Sequence, residues 1–254
     1  MYFKSTLSLV LALAATTAVS LSSLQGRAEA RIARRVSGAN KLRSEGGEEV
    51  NSTDWAGAVI NASPGTFTSI AASFTLPTPY VPEGADPSGN YSAVIVVGID
   101  GNTCPTATLQ AGVVVSLEDG QPSYTALAQF SSPLNSATFP DISLSAGDLI
   151  AVGVTAVNAT SGMAVIINQS TGESGYVSLT SPDTPLCMMD GEWIVRFGDE
   201  PLPNFGTVVF TYPVAETPSG PVDASHANIT DIVQGDTFLA YASISPSSVS
   251  VTFA

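Results

Sequence analysis

Basic side chains are nearly absent from most of this chain. Of its eight Lys and Arg, seven lie at or before Arg43; from Gly46 onward 20 Asp and Glu face Arg196 alone, a balance of −19. Such a surface repels nucleic acid and anionic membrane, so neither is expected as a partner. Histidine occurs once, as His226 in the polar run SHANIT, and no G-x-S-x-G elbow accompanies it, which argues against a Ser-His-Asp triad. Zinc sites want several His or Cys ligands, which this chain cannot supply. No D-x-[DN]-x-[DN]-G calcium loop and no Gly-rich phosphate cradle occurs either, so neither metal nor cofactor is expected. Hydrolysis, if this chain performs it, has to use carboxylates, amides and water.

Also missing is any apolar run of about 18–20 residues. The nearest is Leu7–Val19, which follows Lys4 and precedes small-x-small cleavage patterns at Ala18-Val19-Ser20 and Ala28-Glu29-Ala30. Residues 1–30 therefore read as a secretory signal, and a secreted, extracellular protein is expected. Residues 31–50 are charged and Gly-containing, which fits a linker or a short basic pro-segment able to dock on the acidic body. Cysteine occurs twice, and in an exported chain the simplest use is one disulfide, Cys104–Cys187. Six N-x-S/T sequons, at Asn51, Asn61, Asn90, Asn158, Asn168 and Asn228, fit a glycosylated surface.

Helical periodicity is lacking after Gly46. Short runs rich in Val, Ile, Thr and Phe recur between Gly, Pro, Ser and Asn. Thirteen strands are expected, from Trp55–Ile60 to Val249–Phe253, all in one domain spanning 51–254. Strands without helices imply two packed antiparallel sheets.

Several segments in this domain resemble the eqolisins, the secreted acid glutamic peptidases. Thr53-Asp54-Trp55-Ala56-Gly57 is similar to their first strand, and Val97-Gly98-Ile99-Asp100-Gly101-Asn102-Thr103-Cys104 to their W-V-G-I-D-G-x-x-C. Ala107-Thr108-Leu109-Gln110-Ala111-Gly112 resembles A-x-L-Q-x-G, and Gly147-Asp148-Leu149-Ile150 with Ser161-Gly162 resembles their G-D-x-I and S-G stretch. Asn168-Gln169-Ser170-Thr171-Gly172 and Glu192-Trp193-Ile194-Val195, with Asn204-Phe205-Gly206-Thr207-Val208, complete the match in a single order. The resemblance implies a concanavalin A-like β-sandwich of two curved sheets, about seven strands each, with a peptide-binding groove on the concave face. It also implies that Cys104–Cys187 is the family's inter-strand disulfide. A monomer acting on, or holding, peptides and unfolded proteins is the expectation.

In that family a glutamate is the general base and then the acid, and a glutamine positions water and binds the oxyanion. Gln110 carries over as the glutamine, although its bland reading is a buried amide satisfied by backbone. The glutamate directly follows E-W-I-V, and here that residue is Arg196, which cannot act as a base. The family's Y-D-A-W-Y-E-W-Y becomes Tyr124-Thr125-Ala126-Leu127-Ala128-Gln129-Phe130-Ser131, and apolar Val96, Val113, Val114 and Val115 stand in other groove positions. Glu192 lies four residues from Arg196, about 13 Å along a strand, too far to replace it directly. Asp199 and Glu200 follow in a loop that could fold back. Impaired catalysis is therefore expected, against two alternatives: an active peptidase with a displaced carboxylate, and a lectin-like glycan binder.

Overall fold

A computed structural model describes residues 49–104, 106–245 and 247–254. The expected signal peptide, and the pro-segment up to residue 48, lie outside the described residues. Among the described residues, sixteen strands and one three-residue 3-10 turn make up the fold, which is all-β as expected. Fourteen strands form one hydrogen-bonded path, β10-β9-β8-β3-β12-β16-β15-β14-β2-β11-β4-β5-β6-β7. The hairpin of β14 (Asn228–Gln234) and β15 (Thr237–Ser245) is its midpoint, so seven strands lie on either side. Every pairing is antiparallel except that of β1 (Glu49–Ser52) with β14. Glu49 and Val50, assigned above to the pro-segment, are thus already paired, with Ile229 and Thr230.

The site rests on five adjacent strands: β2 (Trp55–Asn61), β11 (Asp190–Phe197), β4 (Tyr91–Ile99), β5 (Leu109–Glu118) and β6 (Gln121–Phe130). Alternation assigns their side chains to two faces. Trp193, Val195, Val97, Ile99, Leu109, Ala111 and Phe130 turn inward and are fully buried in the main core. Trp193 also donates its indole N–H to the Ala71 carbonyl of the opposite half, at 3.0 Å. A second, smaller apolar cluster of Val59, Val94, Val96 and Ile194, flanked by Trp55, Val114 and Leu127, covers the other face. Asp119-Gly120, both at positive φ, close the β5–β6 hairpin in the left-handed turn that matches strand twist.

Gly112 has a specific steric reason. A Cβ there would lie 1.9 Å from the Ile95 carbonyl oxygen, which is backbone of the paired strand and has nowhere to go. Gly112→Ala is expected to cost at least the roughly 1–3 kcal/mol typical of overpacking. Thermal unfolding of the variant beside wild type checks this; an unchanged Tm would show that β4 and β5 are not paired in this register.

Cys104 and Cys187 are joined as expected, with a sequence separation of 83. Closing a loop of that length contributes on the order of 4 kcal/mol in the chain-entropy description.

Candidate functional site

Register places the functional side chains in rows across the strands. Glu192 pairs with Gly98, Gly98 with Gln110, and Gln110 with Gln129. Directly opposed residues point to one face, so a carboxyl and two amides project together, with Gly98 as the gap between the first two. A methyl added at Gly98 would sit 3.5 Å from Gln110 Cβ and 3.6 Å from Glu192 Oε2. Gln110 Nε2 donates to Gln129 Oε1 at 3.0 Å. The amide reading of Gln110 therefore needs amending: its partner is a side chain lining the same groove, not backbone.

Arg196 stands two pleats further along β11, opposite Trp55 on one side and Val94 on the other. Its Nη1 donates to the Phe197 carbonyl at 3.1 Å, and among the described residues it makes no ion pair. Burial pulls its pKa below the ordinary arginine value, while the charges of Asp199 and Glu192 push the other way. Asp199 and Glu200 are exposed at the groove's rim beyond it. Between the Glu192 row and Arg196 lies the apolar cluster as a floor. The whole groove encloses about 780 Å³.

Glu192 is 6% exposed, and its carboxyl is held well above the usual glutamate range. Burial is the main cause, and the nearby charges of Asp190 and Asp100 add to it; the Asn102 N–H and Arg196 oppose it. Those two aspartates are structural. Asp190 accepts from the backbone N–H groups of Asn102, Thr103 and Cys104, from the Thr103 hydroxyl and from Asn61 Nδ2. Asp100, at φ 63, accepts from the N–H groups of Met188, Met189 and Asp190, and burial raises its pKa. Together they tie the turn after β4 to the segment before β11, beside the disulfide.

Sequence reasoning named Gln110 and Arg196, and both line the groove. It missed that Glu192 shares a row with Gln110; the available signal was Gly98, a residue without a side chain between them. Asn168 requires a correction as a glycan acceptor. It is fully buried, with Nδ2 donating to the Ser143 carbonyl and Asp148, and Oδ1 accepting from Ser170 and Thr171 N–H. A glycan on that nitrogen has no room. Asn51, Asn61, Asn90 and Asn158 are exposed, and Asn228 is half-buried. His226 is exposed at the end of the 3-10 turn, in no contact with this groove.

Fold and site define a β-sandwich with a long groove floored by apolar side chains and crossed by a buried amide–carboxyl row. A model of the Peptidase A4 family matches residues 53–253, and the chain belongs to that family. Aspergillopepsin-2 of Aspergillus niger is 36% identical over 235 residues, covering 84% of this chain and 81% of that protein. Scytalidopepsin B of Scytalidium lignicola is 28% identical over 242 residues, 88% of each chain. Among solved structures, scytalido-glutamic peptidase with a transition-state analogue inhibitor superposes with a TM-score of 0.69 at 28% identity, over 80% of this chain and 99% of that one. Aspergilloglutamic peptidase from A. niger gives 0.61 at 39% identity, over 65% of this chain and 99% of that one.

Proposed function

We propose that this protein is an exported peptide-binding member of the glutamic peptidase fold whose hydrolytic step is impaired. One observation carries the reading: the β11 position given to the general base by the family resemblance holds Arg196, facing the groove. A guanidinium stays protonated at any pH the protein survives, so it cannot take a proton from water. Gln110 is retained, but its amide hydrogen bonds Gln129 and not a water-activating carboxylate. Peptide binding is supported by relatives solved with a peptide-based transition-state analogue and with a tripeptide. Export is supported by the apolar leader, the formed disulfide and the surface position of five of the six sequon asparagines.

A second reading is favoured by the placement of Glu192 next to Gln110. It would serve as the displaced carboxylate of an active peptidase. Its burial weighs against this, because a carboxyl that keeps its proton in acid has no lone-pair basicity to offer water. The two readings separate on acid-denatured casein between about pH 2 and 6, bracketing the ordinary carboxylate range. Wild type is expected to release no peptides beyond what Gln110→Ala releases. Cleavage abolished by both Gln110→Ala and Glu192→Gln would replace the first reading with the second.

A further inference from the structure

The groove is polar at two places and apolar between them. At one end is the Glu192–Gln110–Gln129 row; at the other is Arg196 with Val94 opposite it; Ile194 and Val96 form the floor between. The separation is the four residues from Glu192 to Arg196, about 13 Å of extended strand, or the length of about four residues of an extended peptide. Arg196 is the sole Lys or Arg after Arg43, is half-buried, and spends one N–H on the Phe197 carbonyl. Its remaining guanidinium N–H groups, a planar fork matched to a carboxylate, are without protein partners among the described residues.

Resting on the peptide-binding reading above, we propose that the groove captures the C-terminal end of a peptide. The terminal carboxylate sits on Arg196, the last apolar side chains lie on the valine–isoleucine floor, and a backbone amide meets Gln110 and Gln129. The charged groups facing that carboxylate allow it. Asp199, Glu200 and Glu118 are exposed, where water and salt screen them. Glu192 is buried, which raises its pKa well above the usual glutamate range and disfavours its charged form. A C-terminus fits better than an acidic side chain in mid-chain, because apolar floor exists on only one side of Arg196; on the other side the groove opens at Gly198 and the acidic rim.

The test uses the purified full-length secreted protein and three acetylated apolar tetrapeptides, with binding measured by calorimetry at about pH 5, where a peptide α-carboxyl is ionised. One peptide ends in a free acid, one is its C-terminal amide, and one is an amide ending in glutamate. The free acid is expected to bind at least about tenfold more tightly than its amide, as a charge-assisted bidentate contact provides. Arg196→Gln is expected to erase that preference and Arg196→Lys to keep part of it. Equal binding of acid and amide to wild type overturns the proposal without any variant. So does no binding, a preference that survives Arg196→Gln, or a glutamate amide bound as well as the free acid. Mass spectrometry of the same mixtures reports hydrolysis separately, so failure of the impaired-hydrolysis reading gives a different result from failure of carboxylate capture.

Discussion

Arg196→Glu is expected to raise acid peptide hydrolysis by about 10²-fold over wild type, the low end of what a positioned general acid–base provides. The reasoning starts from the register. Residue 196 faces the groove opposite Val94 and Trp55, on the same strand and the same face as Glu192. A glutamate there would regain a group able to take a proton from water and return it to a leaving amine. It would be half-buried, as Arg196 is, and so less desolvated than Glu192, whose full burial holds its carboxyl well above the usual range. The gain stays at the low end because one substitution leaves Val96, Val114, Leu127 and Gln129 at groove positions where the family resemblance implies polar and aromatic side chains. Peptide release from acid-denatured casein, read by mass spectrometry, is the measurement. A folded Arg196→Glu protein no more active than wild type would show that the groove had lost more than its base. Gln110-dependent cleavage by wild type would show that nothing essential had been lost.

Much of the frame was legible before the structure. Short runs rich in Val, Ile, Thr and Phe between turn residues located thirteen strands in order, because each buries enough apolar surface to leave a pattern. β7 (Ser132–Thr138), β13 (Gly220–Asp223) and β1 were missed. The first carries Pro133 and few apolar residues, and the others are four residues long. Such strands are held by backbone pairing at the margin of stronger neighbours, which leaves little trace in composition. At the site, Gln110 and Arg196 were legible from motif positions. The neighbourhood of Glu192 was not, because its distance from Arg196 is set along one strand while its row with Gln110 is set across three. Register between β11, β4 and β5 decides that row, and it comes from long-range pairing that no local window contains. The buried aspartates Asp100 and Asp190 were illegible for the same reason: their backbone donors lie 86 to 90 residues away in the chain.

The fold is expected to be most stable in acid, and Glu192→Gln is expected to remove much of that dependence. Burial raises the pKa of both Glu192 and Asp100 in the folded state above the ordinary values of 4.5 and 3.8. Below those ordinary values both groups are neutral in folded and unfolded chains alike, so neither penalises folding. As pH rises past them the unfolded chain releases protons that the folded chain retains, and stability falls until the folded groups ionise too. Each group then removes up to about 1.4 kcal/mol per pH unit, or about 3–5 °C of Tm for a domain of this size. Glutamine is nearly isosteric and has no proton to lose. The variant should therefore match wild type below about pH 4 and exceed its Tm at pH 7 by at least about 3 °C. General repulsion among the other carboxylates also grows with pH, but it acts on both proteins equally and cancels in the comparison. Thermal unfolding followed by circular dichroism from pH 3 to 8 reads the difference directly. Parallel curves for the two proteins would mean that Glu192 ionises as freely in the fold as outside it, and that the acidic row beside Gln110 is wetter than its burial implies.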